Sequence, residues 1–245
     1  MKKGQITIYV LLAVIIISAI GIVLYTQREL LGIHLAPPIN EEIRPVNTFV
    51  ESCLKSTAED ALIFVGQQGG YYDLPYNSID EYVYYFAANK SYFPKKETIE
   101  NEISKYINEM LPFCTQNFAS FSDFQISANP SAIKTETKIL DRTVKFNIKW
   151  PCQIKKSDSV YNLNEFSIEI PSRLNTIYNV AGNMTSQQLK DFSSICLSCL
   201  TKFALDNDLY INMEDYDETT VLFIITDDQT QIKNQPYEFI FANKY

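Results

Sequence analysis

The sequence predicts an α+β fold: an N-terminal transmembrane helix, then a helical half followed by an antiparallel sheet with two covering helices. Three observations predict it. Residues 6–26 run for 21 positions without a charge. From Ile43 to Leu111 apolar residues recur mostly at three- and four-residue steps, the helical period. Beyond Ser120 the step falls to two, the period of a half-buried strand.

The apolar run reads ITIYVLLAVIIISAIGIVLYT. At about 1.5 Å per residue it spans about 30 Å, the thickness of a bilayer core. A cleaved signal needs a shorter run ending in a small-x-small site. Ala19-Ile20-Gly21 is the one candidate, and the apolar stretch continues past it to Tyr25. An uncleaved, single-pass anchor is therefore expected. Lys2 and Lys3 precede the run, whereas Arg28 on the far side is answered at once by Glu29. The positive-inside rule then places the N-terminus in the cytoplasm and the rest outside the cell membrane. The expected organisation is a cytoplasmic tail and anchor over 1–27 and a juxtamembrane linker over 28–40, with an extracytoplasmic domain over 41–245. Within that domain, 41–119 reads as mostly helical and 120–245 as sheet plus helices.

Pro37-Pro38 closes the linker, because neither proline can donate a helix hydrogen bond. Ile43, Val46, Val50, Cys53, Thr57, Ala61 and Val65 then form one apolar helix face, stopped by the glycines of Gly66-Gln67-Gln68-Gly69-Gly70. In the aromatic-rich stretch that follows, a turn and a short helix over 78–88 are expected. Ile99, Ile103, Tyr106, Ile107, Met110 and Leu111 mark a third helix, kinked or ended by Pro112. Phe124, Ile126 and Ala128 alternate, Asn129-Pro130 turns the chain, and 133–139 pairs with 143–150 across Leu140-Asp141-Arg142. Phe166, Ile168 and Ile170 predict a further strand ending at Pro171. Helical spacing returns at Leu174, Ile177 and Ala181, and again at Leu189, Phe192, Cys196, Cys199 and Phe203. Tyr210 to Met213, Val221 to Thr226 and Tyr237 to Phe241 close the chain as strands, the middle one apolar enough to be central.

Of the 245 residues 46% are hydrophobic and 20% charged, which is enough apolar material for a packed core and excludes a disordered chain. Lys and Arg total 21 against 29 Asp and Glu; two lysines precede the anchor, so the exported part carries a net charge near −10. Phosphate backbones are bound by clustered Lys and Arg, and the longest basic runs here are Lys95-Lys96 and Lys155-Lys156. Nucleic acid is not an expected partner.

Cys53, Cys114, Cys152, Cys196 and Cys199 all follow the anchor, where thiols can be oxidised. Cys53 and Cys114 lie on the apolar sides of consecutive helices. A bridge between them would close a loop of roughly 60 residues, worth about 4 kcal/mol; the alternative is two buried free thiols. Cys196-Leu197-Ser198-Cys199 has the spacing of a redox or metal motif, but it has no histidine or second pair to complete a zinc site. One of the two reaching Cys152, or both packing as small apolar residues, is expected ahead of a catalytic disulfide. Five being odd, at least one thiol stays free or pairs with another chain.

The one histidine, His34, lies beside the membrane, which removes most imidazole-based nucleophilic and metal chemistry. Acidic residues gather at Asp206 and Asp208, at Glu214, Asp215, Asp217 and Glu218, and at Asp227-Asp228, without the spacing and glycine of an EF-hand. They read as solvated turn and strand-end charges. No cofactor, metal or catalytic residue is expected. Tyr71, Tyr72, Tyr76, Tyr82 and Tyr85 are the candidate binding surface, since amphipathic rings suit sugar or protein recognition; packing against the neighbouring helix is the other reading. Asn89-Lys90-Ser91 and Asn183-Met184-Thr185 make Asn89 and Asn183 candidate glycosylation sites.

The opening Lys2-Lys3-Gly4-Gln5-Ile6-Thr7-Ile8 resembles the archaeal class III, type IV pilin-like signal, in which a peptidase cuts after a Gly that precedes Gln. The resemblance implies processing between Gly4 and Gln5. Tyr9 and Ala13 stand where that pattern has Glu and Leu, so it implies processing more directly than filament assembly. The whole chain resembles uncharacterised membrane-anchored surface proteins of small-genome archaea. They share the GQ-x-T-I start, the Val-Glu-x-Cys-Leu helix at Val50 to Leu54, the glycine turn from Gly66 to Tyr71, and a closing Phe-Ala-Asn-Lys at Phe241 to Lys244. That resemblance implies no activity.

The expected function is a structural or interaction role at the cell surface, pilin-like in its anchor. Its partners would be the membrane, another protein or an envelope polymer, or further copies of the chain. An extracytoplasmic ligand-binding or sensing module acting through a membrane partner is the second reading, and an enzyme the third.

Overall fold

A computed structural model describes residues 40–245, together with Val14, Ile16 and Ser18. No helix among the described residues is long and apolar enough to cross a membrane. The expected anchor over 6–26, apart from those three residues, lies outside them, as do the Gly4-Gln5 junction and His34.

Helix α1 (Arg44–Gln67) begins with Pro45 in its first turn and buries Val46, Val50, Leu54, Ala58, Ala61 and Val65 along one face. Gly66 lies so close to Tyr237 and Glu238 that an added Cβ would lie 2.6 Å from Tyr237 Oη and 2.8 Å from the Glu238 carbonyl. Gly69 at φ +61° and Gly70 at φ +91° then turn the chain, Gly70 N donating to Val65 O at 2.7 Å. Such positive φ values cost glycine little.

The chain next forms a small three-stranded antiparallel meander rather than the expected helix over 78–88. Its strands are β1 (Ser78–Ile79), β2 (Tyr82–Ala87) and β3 (Lys90–Ser91). Val83, Tyr84, Tyr85 and Phe86 are all buried, so β2 is covered on both faces. A strand covered on both faces loses the alternation that identifies strands in sequence.

Helix α2 (Lys96–Thr115) buries Ile99, Ile103, Ile107 and Leu111 at four-residue steps and carries Pro112 within its last turn. It runs three residues past the proline, ending where Gln116 adopts a left-handed conformation and donates to Pro112 O. Two sheets follow. In the first, β6 (Thr143–Lys156) pairs along both its halves with β7 (Ser159–Pro171), while β4 (Gln125–Ala128) and β5 (Lys134–Ile139) pair with successive halves of the opposite edge, all antiparallel. α2 covers the free edge of β5. Glu100 Oε1 accepts from Ile139 N at 2.9 Å, Ser104 Oγ from Thr137 N at 3.1 Å, and Asn108 Oδ1 from Thr135 N at 2.9 Å. Four helical residues rise about 6 Å and two strand residues about 6.8 Å, so every fourth side chain meets every second amide. The exposed edge of that sheet is thereby blocked against pairing with other chains.

Helices α3 (Leu174–Gln188) and α4 (Leu197–Asn207) lead into β8 (Tyr210–Asp215), β9 (Thr220–Ile232) and β10 (Gln235–Lys244). These complete a six-stranded sheet of order β1-β2-β10-β9-β8, with β3 on β2. β9 is interior, as its apolar sequence predicts. β2 and β10 are parallel, Ala242 opposite Tyr84, an arrangement the antiparallel expectation missed. α1 packs on β10 and on β7, so Phe146, Ile148 and Trp150 of one sheet share a core with Phe223, Phe239 and Phe241 of the other. Ile43–Tyr245 is one compact α+β unit with two sheets instead of the expected one.

Helix α4 starts at Leu197, eight residues after the predicted Leu189. The cause is Asp191. Its Oδ1 accepts from Ser193 N at 3.1 Å and Ser193 Oγ at 3.0 Å, and its Oδ2 from Ser194 Oγ at 2.5 Å. These local bonds give the backbone an alternative to the helical ladder.

Candidate functional site

The candidate site is a cysteine pair beside a cavity between α3, α4 and the six-stranded sheet. Cys196 is the N-cap of α4 and Cys199 lies in its first turn; the two are joined as a disulfide three residues apart. The structure thus overturns the expectation that one of them reaches Cys152 or that both stay as packed thiols. Reaching Cys152 would have required the cysteines to leave the helix start. Cys199 N and Leu200 N instead donate to Cys196 O at 3.0 and 3.1 Å, closing the turn that brings the two sulfurs together. Both cysteines are half-buried.

They line a cavity of about 230 Å³ with Met184, Gln188, Leu200, Phe203, Phe223 and Asn243. Its walls are mainly apolar, with a polar floor. Tyr245 Oη donates to Gln188 Oε1 at 2.8 Å, and Gln188 Nε2 donates to the carbonyls of Asp191 and Ser194 at 2.7 and 3.1 Å. Burial raises the Tyr245 phenol above its usual range, while a hydrogen bond from Asn243 pulls the other way. Asn243 is only 2% exposed and its Oδ1 has no hydrogen-bond partner, so one acceptor at the cavity is unsatisfied. Leu197 and Phe192, which do not line it, are 60% and 44% exposed, and Phe192 stacks on Phe86. Asp191 also lines the cavity, its carboxyl held below the usual range by hydrogen bonds from Ser194 and Ser193.

The two bonded cysteine pairs do different things. Cys53–Cys114 joins α1 to α2 across 61 residues with Cα atoms 5.6 Å apart, and by loop closure contributes about 4 kcal/mol. The same relation gives only about 2 kcal/mol for the tight loop of Cys196–Cys199. That pair links no distant elements. Cys152, on β6, is the free cysteine among the described residues; burial pushes its thiol up to about 12.

The candidate tyrosines do not form one surface. Tyr85 is in the core, stacked on Phe241 at 4.4 Å with its hydroxyl donating to Gly69 O at 2.8 Å. Tyr72 packs edge-on against Tyr106 and donates to Glu109 at 2.9 Å, while Tyr71 is half-buried against the core. Tyr82 meets Tyr216, whose hydroxyl donates to Asp80 and is raised to about 12 by that bond. Tyr76, 90% exposed, has an edge contact with Tyr92. Aromatic spacing gave no warning of this division, because both faces of β2 are covered.

Asn89 sits exposed at the hairpin turn with φ +59°. Asn183 is exposed on α3, but the Thr185 hydroxyl of its motif is buried and donates to Ala181 O at 2.9 Å. The acidic groups serve the fold. Asp217 receives Thr219 N at 2.7 Å, which holds its carboxyl low, and buried Asp227 pairs with Arg173 at 2.9 Å. Among the described residues there is no group of His, Cys, Asp and Glu able to hold a metal, and no histidine. Comparison with family models, curated proteins and solved structures gives no match to this chain.

Proposed function

We propose that the chain is a membrane-anchored protein whose domain, from Ile43 onward, works outside the cytoplasm in a structural or interaction role at the cell surface. The observation that supports this reading is the pair of disulfides in the domain, because such bonds persist in oxidising compartments and are rare in reducing ones. The uncharged 21-residue run over 6–26 supplies the anchor, and the acidic balance turns the domain away from nucleic acid. The cavity beside α4 favours a second reading, in which the domain takes up a ligand and passes the event to a membrane partner.

Labelling intact cells with a membrane-impermeant amine reagent tests location: domain lysines should react without lysis, and labelling that requires lysis would overturn the assignment. Cross-linking in native membranes then separates the roles. Ladders of the chain itself support a structural, pilin-like assembly, and one fixed heteromeric product supports an interaction role. When that one product is with an integral membrane protein it fits the ligand-binding reading as well, and a chain that yields neither speaks against both readings.

A further inference from the structure

We propose that Cys196–Cys199 is a thiol–disulfide exchange site for cysteine-bearing polypeptides, with the adjoining cavity holding an apolar side chain next to the reacting cysteine. Four observations carry it. Cys196 and Cys199 are both half-buried, as is Cys114, whereas Cys53 is buried and its bond joins two helices of the core. It closes a loop within one helix start, so the fold has little use for it as a staple. It stands at the N-terminus of the 11-residue α4, which has no side-chain cap, and the helix dipole there favours a thiolate on a sulfur released by exchange. Finally, it opens on a cavity that is apolar apart from a polar floor, where buried Asn243 Oδ1 lacks a partner and can accept an incoming amide.

The size of the cavity selects the occupant. At about 230 Å³ it falls below the ~300–1,000 Å³ of small-molecule sites and suits a side chain with its neighbouring peptide unit. In the reaction, a substrate thiolate attacks one sulfur of the pair. The Cys196–Cys199 bond breaks, its electron pair leaves on the other sulfur as a thiolate, and a mixed disulfide forms. A second substrate thiolate attacks the substrate's own sulfur in that mixed bond and releases the pair. The substrate dithiol is oxidised to a disulfide by two electrons, the pair is reduced to a dithiol, and the protons lost by the substrate thiols are taken up there or by water. Run in reverse, the same steps reduce a substrate disulfide.

The inference goes beyond the surface role and is tested on the full chain in detergent, wherever the protein resides. The chain is equilibrated with mixtures of reduced and oxidised glutathione, its free thiols are trapped by alkylation, and they are mapped by mass spectrometry. Cys196 and Cys199 should open within the glutathione range while Cys53–Cys114 stays closed; equal resistance of the two bonds would overturn the proposal without any variant. A reduced peptide with two cysteines flanked by Leu and Phe should then be oxidised on the order of tenfold faster by the oxidised chain than by a C196S/C199S chain. Equal rates would sink the exchange function. Met184→Trp, which fills the cavity, should abolish the preference for Leu and Phe flanks over Ser flanks, read as the ratio of the two peptides' rates with the same chain. A preference that survives would refute the role given to the cavity.

Discussion

Arg173→Met isolates one charge and lets its worth be read directly. Asp227 on β9 is fully buried. Its carboxylate receives Arg173 Nη1 at 2.9 Å, Thr230 Oγ at 2.5 Å and Gln229 N at 3.2 Å. Arg173, just before α3, also donates to the carbonyls of Asn207 and Asp208 at the end of α4. The guanidinium therefore ties α3, α4 and β9 together. Its removal strands a buried anion and frees two helix-end carbonyls, which costs about 3–5 kcal/mol. At about 2–3 kcal/mol per molar of urea, the unfolding midpoint should fall by about 1–2.5 M. Asp227→Asn should cost less, about 1–3 kcal/mol, because Arg173 is partly exposed and can turn toward water. The double variant R173M/D227L leaves no buried charge and should recover part of the loss. A cost below about 1 kcal/mol for Arg173→Met, or an R173M/D227L chain no more stable than Arg173→Met alone, would refute this account.

Other perturbations follow from the same packing. C53S/C114S should lose about 4 kcal/mol, read from urea midpoints under non-reducing conditions, with a native-like circular dichroism spectrum before unfolding. Gly66→Ala places a methyl against Tyr237 Oη and a backbone carbonyl and should cost about 1–3 kcal/mol in thermal or urea unfolding; an unchanged midpoint would contradict the contact. Cys152, its thiol raised to about 12 from an ordinary 9.0, should resist alkylation at pH 8 until the domain unfolds. Its contribution to stability is full below 9.0. It declines as pH rises from there toward about 12, because the unfolded chain releases the proton first. A pH–stability curve of Cys152→Ala that keeps the wild-type slope over that window would refute the linkage.

Periodicity served the sequence best where an element buries one face. α1 and α2 show their buried faces at three- and four-residue steps, and β6 alternates at Val144, Phe146, Ile148 and Trp150. It failed where both faces or neither are covered. β2 is buried on both sides and was read as a helix. The first half of β7, before Phe166, has no buried residue and gave no strand signal, although its hairpin with β6, which keeps the alternation through Cys152 and Ile154, extends the first sheet. The start of α4 was misplaced because the side chain of Asp191 outcompetes helical bonding, a contest that apolar spacing does not register. The candidate site was half legible. The Cys196-Leu197-Ser198-Cys199 motif was visible, but its bonded state and its cavity were not.

The sequence by itself determined the number of charges, the apolar run of 6–26, the α+β class and the elements with one buried face. Each of these depends on local composition and period, which no partner can change. Only the tertiary structure decided which cysteines meet, that β2 lies parallel to β10, that α2 seals the edge of β5, and that Asn243 ends as an unsatisfied acceptor beside a disulfide. These depend on distances between residues far apart in the chain, and such distances are fixed by packing the sheets and helices of the described residues into one core.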